Sequence, residues 1–245
     1  MNVKKTPLYI LITYIVMQLS SILVVLPVST IIKALYADAP KEELSNHIAG
    51  WTTFTSFLLG FLVTLFFIMR DKDFLKKAFI GGKKATTPTA IVWGILGFVI
   101  VLCAQMLAGY VEQKLGVTGG SENTASLSSI AAVSPIIIIS IVLIGPFLEE
   151  VVFRRIIFGS LNQTTNFFIA AIVSAIMFGL VHMDFSHILT YVMTGLAFAF
   201  LYNKTHRLLT TIIAHILLNG FVIYINLNHE KILDVIEKIQ KAIGQ

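Results

Sequence analysis

Gly145-Pro-Phe-Leu-Glu149-Glu150-Val-Val-Phe-Arg154-Arg155 puts four charged side chains at the end of a strongly apolar run. The run before it, Pro135 to Ile144, holds eight Ile, Val or Leu residues and one polar side chain, Ser140. At helical spacing Glu150 and Arg154 are i and i+4 and can pair, whereas Glu149 is rotated by about 100° and is left free. An unpaired ionisable group at membrane depth marks a functional site. Three further polar side chains interrupt later apolar spans: His182, ending Phe178-Gly-Leu-Val-His182, and His215 with Asn219 in Ala214-His-Ile-Leu-Leu-Asn219. His215 and Asn219 share one helix face, and Phe178 sits one turn before His182, where it can wall off the imidazole.

Together these residues have the parts of a hydrolytic site. A carboxylate and an imidazole can deprotonate water, and an imidazole and an amide can donate to an oxyanion. Each also has a plainer reading. Arg154 and Arg155 can be headgroup anchors with the glutamates as counter-ions, and a lone intramembrane His is commonly a helix-helix hydrogen-bond partner. Asp184, His187 and His206 read as interfacial or loop residues.

The elements that must position this set are membrane helices. With 56% hydrophobic residues, 13% charged residues and a mean hydropathy of +0.86, the chain reads as all-α, a polytopic helix bundle with no sizeable soluble domain. The net charge of +5 belongs to topology and not to a nucleic-acid footprint. Cys103 excludes an internal disulfide and a Cys-based zinc site, and reads as a small core residue.

About seven spans are predicted: 8–34, 51–69, 90–111, one starting at Pro135, 167–182, 188–202 and 209–225. The first follows a short basic lead, Met1 to Lys5, and is too long for a cleaved signal. Asp38 to His47 reads as a polar connection, Arg70 to Lys84 as a basic cytoplasmic loop, and Gly116 to Ser126 as a flexible external loop. Asn162 to Asn166 reads as a turn. Lys231 to Ile243 has helical apolar periodicity and predicts an amphipathic surface helix. Three regions follow: N-terminal spans over 1–134, a core over 135–228 and a tail over 229–245. The N-terminus is expected inside, in a bacterial plasma membrane. If the fourth helix runs to about Leu161, Glu149, His182 and Asn219 lie about 18, 23 and 15 Å from the inner ends of their helices, close enough in depth to meet. A helix ending at Arg155 would separate them.

Glu149-Glu150-x-x-x-Arg154, Phe178-x-x-x-His182 and His215-x-x-x-Asn219, in that order, resemble the three-motif signature of the CAAX-processing and bacteriocin-processing (CPBP, or Abi) intramembrane proteases. The resemblance covers about Pro135 to Gly220. It implies that Glu149 and His182 activate water, that His215 and Asn219 stabilise the oxyanion, and that Glu150 and Arg154 form a supporting ion pair. The family has been described both as metalloproteases and as glutamate-dependent enzymes. The chain has no His-Glu-x-x-His, so a zinc ion would have to be held by Glu149, His182 and His215 across helices. The expectation is an endopeptidase acting on a membrane-associated or lipidated peptide or protein, with membrane lipid around it and no required metal. A non-catalytic immunity or regulatory protein is the alternative. A proton-coupled transporter would call for internal repeats, and none is visible.

Overall fold

The structure is a computed structural model that describes residues 5–76, 79 and 83–243. The basic lead up to Lys4, and Lys77 in the basic loop, lie outside the described residues. Every regular element among the described residues is helical. In chain order these are α1 (Thr6–Leu35), α2 (Lys41–Arg70), α3 (Thr87–Lys114), α4 (Glu122–Val133), α5 (139–164), α6 (Phe167–Leu180), α7 (Ile188–Thr205), α8 (Leu208–Leu227) and α9 (His229–Ile243). Helix α5 is unbroken but not uniform. Wide π-type turns over Ile139–Ile144 and Glu150–Phe158 flank ordinary α turns at Gly145–Glu149, and Gly159–Thr164 closes it.

Helices α1, α2, α3, α7 and α8 are long and apolar enough to cross a membrane. With α5 and the shorter apolar α6, they make the seven-helix bundle expected. Helix α1 lies along α2, α3 packs against α7 and α8, and α6 lies on α7. At the centre is α5, touching α1, α2, α6, α7 and α8. Its Leu148, Val151, Val152 and Phe153 are at most 1% exposed and pack with Tyr14, Phe178, Phe198 and Leu218. Outward positions such as Ile22, Leu23 and Leu26 of α1 are 69–75% exposed, as a lipid-facing surface requires. Where apolar surface gains little by leaving lipid, helices associate through close backbone approach. Gly195 of α7 illustrates this, since a Cβ there would lie 2.8 Å from Cα of Ala175 on α6.

Four expectations are corrected. The Asp38 to His47 connection shrinks, because α2 starts at Lys41 behind an extended Pro40, with Glu42 and Glu43 in its first turn facing the positive end of the helix dipole. The flexible loop ends at Ser121, whose Oγ accepts from the Thr124 N–H and caps α4. The predicted turn at Asn162 is one more stretch of helix as far as Thr164, after which Asn166 caps α6 by accepting from the Ile169 N–H. Cys103 is exposed on α3 and is not a core residue. A helix that is apolar all round carries no sequence signal for which side faces its neighbours.

The bundle has two unlike ends. Ala85 and Arg207 join the start of α3 to the end of α7, through the Ala85 N–H donating to Thr205 O and Arg207 Nε donating to Ala85 O. At that same end Arg155 Nε donates to Phe74 O (2.5 Å). The far end is pinned by Glu112, at the end of α3, which accepts from the Thr190 N–H and hydroxyl (2.8 Å each) and pairs with His187 Nδ1 (3.1 Å) at the start of α7.

Candidate active site

Helix α5 presents its two glutamates where ordinary turns give way to wide ones, a distortion often found at functional positions. Glu150 is fully buried. It accepts from Arg154 Nε (3.3 Å) and faces His215 Nδ1 (3.0 Å). Arg154, also fully buried, donates through Nη1 to Ser174 Oγ (3.0 Å), and Ser174 donates to Phe153 O. Its guanidinium lies 5.1 Å from the ring centroid of Phe178 and 5.6 Å from that of Phe198. The i, i+4 pair expected from spacing therefore forms, and a hydroxyl and two aromatic faces shield it from lipid.

Glu149 points elsewhere. Its side chain keeps 16% exposure and lines a cavity of about 350 Å³. His182, His215 and Asn219 line the same cavity, with Glu150 and Arg154 behind it. His215 lies between the two carboxylates: Nδ1 meets Glu150, and Nε2 lies 3.6 Å from Glu149 Oε2, too long for a hydrogen bond. His182 is fixed by Phe178 O, 2.8 Å from Nδ1. A carbonyl can only accept, so Nδ1 carries the proton and neutral His182 keeps an open lone pair on Nε2. Its ring stacks on Tyr191 at 4.1 Å and lies 4.9 Å from Phe178, which thus walls it as expected. Asn219 Nδ2 donates to Ile141 O (2.7 Å) in the first wide-turn stretch of α5, leaving its second amide hydrogen unassigned. Gly145, one turn before Glu149, allows a close approach of backbone and ring, since a Cβ there would stand 3.0 Å from Ser140 O and 3.3 Å from a Phe57 ring carbon.

One detail of the expected geometry changes. His182 is beyond the last turn of α6, which ends at Leu180, and sits in a turn where its N–H donates to Gly179 O and the next residue, Met183, has φ +54°. The depth condition is met because α5 runs past Leu161.

A family description, type II CAAX prenyl endopeptidase Rce1-like, matches residues 131–221. The putative membrane peptidase YdiL of Bacillus subtilis (strain 168) is 38% identical over 221 residues, 89% of this chain and 88% of that protein. The chain belongs to the Rce1-like CAAX endopeptidase family. The membrane-embedded CAAX protease MroQ of Staphylococcus aureus (strain USA300) is 42% identical over 144 residues, 56% of this chain and 58% of that protein. The UPF0177 protein YxdF of Lactococcus lactis is 30% identical over 135 residues, 54% of this chain and 74% of that protein. No solved structure matches. With its apolar helices and these relatives, this Rce1-like chain is a multi-pass bacterial membrane protein. The family match spans α5 to α8 and so contains all six motif residues.

Glu149, His182 and His215, the three side chains that a zinc ion would need, line one cavity of this Rce1-like site. No three His, Cys, Asp or Glu side chains among the described residues are grouped to hold a metal ion. Phe178 O and Glu150 hold the Nδ1 atoms of His182 and His215, which leaves each ring's Nε2 as the nitrogen able to act as a base, a donor or a metal ligand. The sequence reading also missed part of the wall. Tyr14 and Gln18 of α1 line the cavity, with Gln18 Nε2 donating to Tyr14 Oη (3.3 Å). Gln105, Asn123 and Tyr191 join them. Two polar side chains at i, i+4 in an apolar first span were a readable signal for Tyr14 and Gln18; nothing in the sequence singled out Tyr191.

Proposed function

We propose that this protein is an intramembrane endopeptidase that hydrolyses a peptide bond of a membrane-associated or lipidated peptide or protein. The observation carrying this reading is that Glu149, His182, His215 and Asn219, from three separate stretches of chain, line one cavity. Water held between the Glu149 carboxylate and the His182 Nε2 lone pair gives a proton to Glu149 as its oxygen attacks the scissile carbonyl carbon. The carbonyl π electrons move to oxygen. The resulting oxyanion accepts from the second N–H of Asn219 and from His215 Nε2 when that ring carries both protons. The carbon–nitrogen bond then breaks, and the proton on Glu149 passes to the departing nitrogen, leaving a carboxylic acid and an amine. Glu150 and Arg154 touch neither substrate nor water in this scheme. They orient His215 from behind.

The reaction as written needs no metal. The test is cleavage of quenched membrane peptides by protein reconstituted in detergent or liposomes. Wild type is expected to cleave with and without a chelator, and Glu149→Gln and His182→Ala to be inactive yet folded. Loss with chelator and recovery with zinc would overturn the metal-free step. Undiminished cleavage by Glu149→Gln would overturn the assignment of the base. Wild type that cleaves no peptide, with both variants still supporting whatever phenotype the gene confers, would favour a non-catalytic immunity or regulatory role.

A further inference from the structure

Beside the catalytic cavity lies a second one of about 770 Å³. Its walls are the C-terminal turns of α3, the segment 117–121 and the start of α7. Gln105, Thr124, Tyr191 and Val222 line both cavities, so the two meet at one partition. Tyr191 is its centre: one face stacks on His182, and its hydroxyl bonds Ser121 Oγ (3.1 Å) and accepts from Asn123 Nδ2 (3.3 Å). The rim of the outer cavity, from Thr118 to Gly120, is exposed. In the opposite direction the catalytic cavity is closed. Beneath Glu149 lie the Glu150–Arg154 pair and the rings of Phe153, Phe178 and Phe198, each at most 1% exposed.

The end of the bundle onto which this route opens is fixed by charge. The end that holds Lys5, the 70–84 segment, Arg155, Lys204 and Arg207 carries nine described Lys and Arg residues, against Asp71 and Asp73. At the end with the outer cavity, counting α9, six basic residues meet nine acidic ones. Basic segments stay in the cytoplasm, so the outer cavity faces away from it. Its lining matches a peptide backbone: the amides of Gln105 and Gln113, the hydroxyls of Thr118 and Ser121, and Gly119, whose φ of +92° leaves bare backbone. The Glu112 carboxylate is already engaged, by the N–H and hydroxyl of Thr190 and by His187.

Resting on the endopeptidase reading above, we propose that substrate enters through this outer vestibule from the extracytoplasmic side. The substrate class is then a peptide whose scissile region is exported or presented on that side, entering as an extended, uncharged polar stretch. Cytoplasmic protein tails are not in this class.

The test places single cysteines in a Cys103→Ser background at Thr118 on the rim, Thr124 on the partition and Lys84 on the basic end. A small membrane-impermeant thiol reagent is added to intact cells. Thr118→Cys and Thr124→Cys are expected to react, and Lys84→Cys only after permeabilisation. Thr124→Cys protein modified from outside is expected to cleave at least 10-fold more slowly than its own unmodified fraction. Protection of Thr118→Cys in intact cells would overturn the orientation. Labelling of Thr118→Cys with Thr124→Cys unreactive would overturn the route, and so would modified Thr124→Cys that cleaves at full speed. The labelling outcomes are independent of peptide cleavage by wild type, whose absence would sink the endopeptidase reading and leave the accessibility pattern to decide which side the cavity opens to.

Discussion

Two adjacent glutamates have unlike surroundings because about 100° of helix rotation separates their side chains. Glu150 is enclosed by Arg154 and His215, whereas Glu149 faces a cavity. Conservative exchanges are therefore expected to diverge. Glu149→Gln should lower cleavage by about 10²–10⁴-fold, the usual worth of a positioned general base, with no change in the thermal unfolding midpoint in detergent. Arg154→Met should instead destabilise by about 3–5 kcal/mol, because the Glu150 carboxylate is left buried without its cation. Arg154→Lys should rescue little, since an ammonium cannot reach Glu150 and Ser174 in the same planar fork. Equal midpoints for Arg154→Met and wild type would show that the pair contributes nothing to folding.

The turn that follows α6 holds His182, α7 holds its stacking partner Tyr191, and the two helices meet at Gly195. Gly195→Ala is expected to cost about 1–3 kcal/mol, because the new methyl meets backbone, which cannot rotate away. Gly109→Ala on α3 meets nothing within 4 Å and should be neutral or slightly stabilising. Thermal midpoints of the two variants, measured side by side, decide this. At the basic end, His206 closes α7 in a left-handed conformation (φ +51°) and stacks on Phe79 at 4.0 Å. Burial, and then the nearby Lys84, push its imidazole below the ordinary histidine range. The depressed value means that the neutral ring contributes stability above about pH 6.5, lost as pH falls through the folded-state value. His206→Phe keeps the stack and should remove that part of the pH dependence; an unchanged pH profile would exclude His206 as its source.

At the scale of the whole molecule, the bundle divides its work by depth. The basic end is tied by Arg155 to Phe74 O and by Arg207 to Ala85 O, the far end by Glu112, and the reactive groups lie between. Glu112→Gln keeps the shape at the far end but exchanges a carboxylate that takes three contacts for an amide that must turn an N–H toward one of its donors. The expected result is slower cleavage, with KM affected more than kcat, because Glu112 holds the vestibule wall and not the reacting atoms. A fall in kcat at constant KM would assign it to the chemistry instead.

The sequence by itself determined the class, the number of spans and the motif residues. A membrane helix must be apolar for its length, so each buried charge or imidazole stands out against its neighbours. Glu150 with Arg154 was legible for the same reason, since i, i+4 spacing is local. Facing was not local. Cys103 lies outward and Glu112 inward on the same apolar helix, and only the packing of α3 against α7 and α8 decided which. Tertiary structure alone brought Tyr14, Gln18, Asn123 and Tyr191 to the cavity, and it alone divided that space from an outer vestibule. Those contacts join residues far apart in the chain, where no periodicity records them.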